Sequence, residues 1–209
     1  MRWLLVLLMS ATFATAEGER PGDFDYYVLS LSWSPSWCAR EGDARGAEQC
    51  EDDTGFGWIL HGLWPQKERG WPSFCRSDFR APSRGETAAM ADIMGSGGLA
   101  WHQWKKHGTC SGLSPQDYYR LAREAYDRVN RPEVLRALTK PYRLPVTVIE
   151  GAFLQSNPDW QADMITITCK QERIQEARLC LTRDLEPRDC GRDVVRDCTL
   201  DRALFDPIR

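Results

Sequence analysis

Gly57-Trp58-Ile59-Leu60-His61-Gly62-Leu63-Trp64-Pro65 is the stretch from which the rest of the chain can be ordered. An apolar run between a glycine and a proline predicts a strand over 57–63, with His61 set among apolar neighbours. Upstream, Tyr27-Val28-Leu29-Ser30-Leu31-Ser32-Trp33 alternates apolar and small polar residues, the pattern of a second strand, and Ser34-Pro35-Ser36 ends it. Downstream, Trp101-His102-Gln103-Trp104-Lys105-Lys106-His107-Gly108-Thr109-Cys110 predicts a short helix over 100–107 with Gly108 just past its end. At about 100° per residue, His102 and Lys106 share one face, and Gln103 and His107 share the adjacent one. These four form a polar stripe. Trp101 and Trp104 fall on the other side, where they can anchor the helix to a core, and Lys105 lies outside the stripe.

Further along, Glu86 to Met94 reads as a helix stopped by Gly95. Ser114 and Pro115 have the form of a helix N-cap and first residue, followed by Tyr118, Leu121, Ala122, Ala125 and Val129 at helical spacing. Residues 132–139 continue as a second short helix. Thr147-Val148-Ile149-Glu150 has the form of a capping box before Ala152-Phe153. Met164 to Cys169 and Glu176 to Leu181 read as paired strands, and the alternating charges from Glu172 to Asp197 as a solvated face. Helices and strands that do not alternate along the chain point to an α+β fold.

The N-terminal residues read as an address. Arg2, the short apolar run Trp3 to Met9 and the small-x-small site Ala14-Thr15-Ala16 predict a signal peptide over 1–16, cleaved after Ala16. That implies a secreted or periplasmic protein whose mature chain, 17–209, forms one domain. No stretch reaches the ~20 apolar residues of a membrane helix. All eight cysteines lie in the mature part, and an even count in an exported chain implies four disulfides, with the pairing left open. Their spacing is not that of paired zinc-binding CxxC motifs. The net charge of −3 argues against a protein that holds nucleic acid mainly by neutralising phosphates. A polyanionic substrate would be gripped locally and released readily.

The chain has three histidines, all within the two segments around His61 and His102–His107. Histidine titrates near neutral pH, and two of them on separate rigid elements can serve as base and acid in one turnover. In RNA the nucleophile, the ribose 2′-hydroxyl, is already part of the substrate. Attack on the adjacent phosphorus then needs no metal if a cation meets the developing charge.

The segments His61-Gly62-Leu63-Trp64-Pro65 and Lys106-His107-Gly108-Thr109-Cys110 resemble the two active-site segments of the ribonuclease T2 family of acid endoribonucleases. The likeness runs from the strand at Tyr27 to Cys198. It implies a single α+β domain, a central antiparallel sheet with flanking helices stapled by disulfides. It implies metal-independent cleavage of single-stranded RNA through a 2′,3′-cyclic phosphate to a 3′-phosphate, with no cofactor, no membrane and no obligate protein partner, in a monomer. By position, His107 would be the general base and His61 the general acid. Lys106 and His102 would bind the phosphate. Trp64, and Trp71 as a second candidate, would stack on bases. The resemblance also implies the pairings Cys38–Cys50, Cys75–Cys110, Cys169–Cys198 and Cys180–Cys190. The missing Asn-x-Ser/Thr acceptor agrees with a bacterial member.

Two positions depart from the family pattern. Gln103 stands where the family usually has glutamate beside the base, which predicts a slower enzyme whose histidine titrates at lower pH. Gln66 stands where an acidic residue often helps to read the base, so base preference is open. Two alternatives remain: a catalytically silent RNA-binding or inhibitory protein on the same fold, and a hydrolase using the three histidines as zinc ligands. The i, i+5 spacing of His102 and His107 is poor for two ligands on one helix face.

Overall fold

Small residues alternating with large ones decide the middle of the molecule. The computed structural model describes residues 19–209, so the signal peptide expected over 1–16 lies outside the described residues. Strand β1, Tyr26–Trp33, runs between β2, Trp58–Gln66, and β5, Arg173–Leu181, antiparallel to both. Leu29, Leu31 and Trp33 are buried in the main core, where Trp33 stacks on Phe205 at 4.2 Å. Val28, Ser30 and Ser32 face the other way. On that side Ser30 lies opposite Gly62 of β2 and Arg178 of β5, and Ser32 opposite Ile59 and Glu176. The central strand therefore leaves a shallow space between side chains of its two neighbours.

Strand β4, Ile165–Lys170, pairs with the far edge of β5. β6, Ala203–Phe205, lies parallel to β5, and β3, Tyr142–Leu144, antiparallel to β6. The result is a six-stranded, mainly antiparallel sheet in an α+β fold.

Bulges interrupt two of these ladders. In β2 the register passes from Ser30↔Gly62 to Leu31↔Leu60, so His61 is the extra residue. Residues three apart on a regular strand face opposite sides, and an inserted residue resets that phase. Leu60 and Leu63 can then both sit fully buried in the core, while His61 and Trp64 both line the opposite cleft. In β5 the register passes from Thr168↔Glu176 to Cys169↔Ile174, which makes Gln175 the extra residue beside Glu176.

Among the described residues, six α-helices flank the sheet: α1, Ser34–Trp37; α2, Arg84–Ala88; α3, Ala91–Met94; α4, Gly97–Lys106; α5, Pro115–Arg128; and α6, Val146–Ser156. α5 starts where the sequence predicts, with the Ser114 hydroxyl accepting from the Asp117 N–H. It grips β2 on either side of the bulge. The Tyr118 hydroxyl donates to the Leu63 carbonyl at 2.8 Å, and the Tyr126 hydroxyl to that of Trp58 at 2.9 Å. The four disulfides pair Cys38 with Cys50, Cys75 with Cys110, Cys169 with Cys198 and Cys180 with Cys190, leaving no free cysteine among the described residues.

Four local expectations change. The helix expected over 86–94 breaks into α2 and α3, a turn that lets Met90, Ile93 and Met94 all reach the core. Residues 132–139 hold only a 3-10 turn, Glu133–Leu135, because Val134 points to solvent and leaves too little apolar face for a longer helix. Thr147 caps nothing; α6 begins at Val146 after Pro145. Trp101 is exposed, and of the two tryptophans only Trp104 packs in the core. Among the described residues, no helix is long and apolar enough to cross a membrane.

The Ser30 hydroxyl is buried without a hydrogen-bond partner. Ser30→Ala should therefore leave stability in urea unfolding within about 0.5 kcal/mol of the parent. Ser30→Leu, which fills the space over β1, should cost about 1–3 kcal/mol. Equal effects would show that this space carries no constraint.

Candidate active site

The β2 bulge turns His61 over the central strand toward β5. Its Nδ1 lies 2.6 Å from Oε1 of Glu176. Glu176 is buried, and its other oxygen accepts from Nε and Nη2 of Arg178 at 2.9 and 2.7 Å. Burial by itself would raise the carboxyl pKa, but the hydrogen bonds and charges of His61 and Arg178 outweigh it and hold Glu176 down at about 2. A carboxylate can only accept, so the His61 Nδ1 carries the hydrogen, and Nε2 is the nitrogen turned away from Glu176.

His107 arrives from the other side. It caps the C-terminal end of α4, its N–H bonded to the Gln103 carbonyl at 2.9 Å. Gly108 lets the chain turn against the core here, since a Cβ would come within 2.5 Å of the Trp104 ring. The imidazole is buried and stacks on Trp64, ring centroids 5.2 Å apart. His61 meets the same indole edge-on at 5.3 Å. The two imidazoles thus flank one tryptophan. Burial first, then the positive charges of Lys106, His61 and His102, push the His107 pKa down to about 3. This ring is neutral at physiological pH, and its buried Nδ1 has no partner.

Gln103 fixes the spacing between these groups. It is buried, and its Oε1 accepts from the Trp64 indole N–H at 2.8 Å. The bond passes close over the β2 backbone. A Cβ on Gly62 would meet Gln103 Oε1 at 2.3 Å and Trp64 Nε1 at 2.4 Å, so this position requires glycine.

A cleft of about 390 Å³ collects these groups. His61, His102, Gln103, Lys106 and His107 all line it, and Trp64 and Trp71 line it as well. His102 is exposed, with its pKa lowered by partial burial and by Lys106. Trp71 is half exposed at one end, near Gln66, whose Nε2 is spent on the Gly70 carbonyl at 3.0 Å. The Cys75–Cys110 disulfide and a 2.8 Å bond from the Phe74 N–H to the Lys106 carbonyl tie the loop after β2 to the end of α4.

Glu176 and Arg178 belong to this site although the charge pattern around them reads as a solvated face. Glu176 is instead the buried hub, and Arg178 holds its guanidinium 5.4 Å over the Trp64 ring. The available signal was their i, i+2 spacing in an apolar strand, which puts both on one face. The three imidazoles do not gather as a metal site. Among the described residues, the one group of donors close enough is Cys38, Asp43 and Cys50, whose sulfurs form a disulfide.

The profile of the ribonuclease T2 family matches residues 24–190. The chain belongs to the ribonuclease T2 family. A ribonuclease of Aeromonas hydrophila is 42% identical over 132 residues, covering 62% of this chain and 58% of that one. A probable ribonuclease of Haemophilus influenzae is 34% identical over 120 residues, covering 52% and 44%. The chain thus spans about half the length of these bacterial relatives. Among solved structures, trichomaglin, described as an S-like ribonuclease, superposes with a TM-score of 0.69 at 21% identity, over 90% of this chain and all of that one. Its fold is the fold of this chain.

Two titrations within the cleft contribute to the acid stability. A depressed carboxyl contributes stability above its ordinary value that is lost as pH falls through its folded one, so Glu176 loses its contribution between 4.5 and about 2. A buried neutral imidazole favours unfolding once pH drops below its ordinary value, so His107 weakens the fold from 6.5 down to about 3. Glu176→Gln should cost about 2 kcal/mol at neutral pH, with the difference closing near pH 2. Urea unfolding across pH checks this; a pH-independent difference contradicts it.

Proposed function

We propose that the protein is a metal-independent endoribonuclease acting on single-stranded RNA. The observation that carries this reading is the pair of unlike imidazoles on either side of Trp64: His107 buried and neutral, His61 held by a buried carboxylate. A buried neutral imidazole is fitted to base work, and an imidazole oriented by a carboxylate to deliver a proton from its other nitrogen.

His107 removes the proton of the ribose 2′-hydroxyl. The 2′-oxygen bonds to phosphorus, the P–O5′ bond breaks, and His61 delivers its proton to the departing 5′-oxygen. Glu176 orients that ring through its Nδ1. Lys106, and His102 when protonated, lie on the same helix and neutralise charge building on the phosphate oxygens. Trp64 holds the upstream base, and Trp71 offers a second stacking surface. Water then opens the 2′,3′-cyclic phosphate with the two histidines in exchanged roles, leaving a 3′-phosphate. The four disulfides fit an oxidising compartment, and with the N-terminal pattern they support export to the periplasm or medium.

His61→Ala and His107→Ala should each lower kcat on single-stranded homopolymer RNA, with chelator present, by about two to four orders of magnitude. Activity that survives either change, or that disappears with chelator alone, contradicts the reading. Absence of cyclic-phosphate product from the parent would make the chain a silent RNA-binding member instead.

Gln103 supplies the hydrogen bond to Trp64 without a charge. A carboxylate at 103 would stabilise protonated His107 and move the acidic limb of the pH–rate profile upward. Gln103→Glu should therefore raise turnover and shift that limb to higher pH. An unchanged rate and profile would refute a role for this position.

A further inference from the structure

His61 and Glu176 are shared by two clefts. Beyond them, on the side away from Trp64 and His107, lies a second cleft of about 320 Å³ whose wall includes Trp37, Arg40, Arg45 and Lys170. If His61 protonates the departing 5′-oxygen, as proposed above, the nucleotide carrying that oxygen leaves on this side. The next phosphate along the chain then follows into the second cleft.

The charges there are uneven. Glu41 binds Arg40 at 2.7 Å and Arg45 at 2.9 Å, with Lys170 at 3.5 Å, so three cations share one carboxylate. Glu176, which also lines the cleft, is already committed to His61 and Arg178. Two positive charges remain uncompensated on a chain of net charge −3.

The cluster is also built rather than loose. Arg40 has a side chain only 4% exposed, and its buried Nε has no partner. It sits on a π-helical turn, Cys38–Gly42, closed by the Cys38–Cys50 disulfide. A Cβ on Gly42 would come within 2.3 Å of the Cys50 sulfur, so the turn packs directly against that bridge. π-turns are costly and concentrate at functional sites. Lys170 ends β4 beside the Cys169–Cys198 bridge. Arg45 and Lys170 keep about half or more of their side chains in solvent, at 64% and 53%.

We propose that Arg40, Arg45 and Lys170 form a subsite for the RNA phosphate on the 3′ side of the downstream nucleotide. Arg40 braces the cluster through Glu41, and the exposed guanidinium and ammonium groups meet the phosphate. The subsite rests on the proposed ribonuclease reading for its direction along the chain, and on the charge cluster for its chemistry. It favours internal cleavage of a longer strand over a dinucleotide.

The test compares a ribodinucleoside monophosphate, NpN, with the same compound carrying a 3′-phosphate, NpNp, at low salt. The parent should cleave NpNp with a KM about five- to tenfold lower and a similar kcat, the signature of added uniform binding by charge-assisted bonds. The advantage should shrink as salt rises and disappear in the double variant Arg45→Ala/Lys170→Ala. Equal KM values for the two substrates, or an advantage that persists in the double variant, would overturn the subsite. The uncleavable 2′-deoxy forms, dNpN and dNpNp, give an independent reading by calorimetry. If neither RNA compound is cleaved, the ribonuclease reading fails. A terminal-phosphate gain in deoxy binding that is lost in the double variant still supports the phosphate site, and its absence removes it.

Discussion

The contact between His61 and Glu176 across the central strand is the constraint on which the site depends. The two residues belong to β2 and β5, which are separated by all of β1. Their side chains meet because β1 presents only Ser30 and Ser32 beneath them, and because each partner sits at or beside a bulge. Bulges re-aim side chains locally while leaving the ladder on either side intact. Tyr118 and Tyr126 hold the β2 ladder at both ends of the irregularity. The sheet therefore supplies rigidity and its two defects supply direction.

Around that contact, the same cleft gives its histidines unlike surroundings. His61 has a buried carboxylate on one nitrogen and partial access to solvent. His107 has an indole against its face, cationic neighbours and no carboxylate partner. Trp64 lies between them, and the Gln103 amide fixes the indole while Gly62 makes room for that bond. Two imidazoles lining one cleft thus differ through packing and charge alone.

Much of this was legible in the sequence because it is carried by local chemistry. The alternation of Tyr27–Trp33, the Ser114-Pro115 helix start and the stripe from His102 to His107 each depend on neighbours a few residues away. What escaped depends on distant partners. Glu176 looks solvated among alternating charges, and only β1 and β2 turn its face inward. The bulge at His61 has no compositional mark, since an extra residue is visible only against the strand opposite. Trp101 is exposed because α4 presents one narrow apolar edge, filled by Ala100 and Trp104. The short turn at Glu133–Leu135 shows the same limit: periodicity without a surface to pack against does not hold a helix.

The account stands on two imidazoles in opposed electrostatic settings, and ring-resolved NMR titration of the three histidines, assigned by single substitutions, tests it most directly. The account predicts that His107 stays neutral down to about pH 3, while neutral His61 carries its hydrogen on the nitrogen facing Glu176. A His107 ring that titrates near its ordinary 6.5, or a His61 tautomer with the opposite nitrogen protonated, would contradict it.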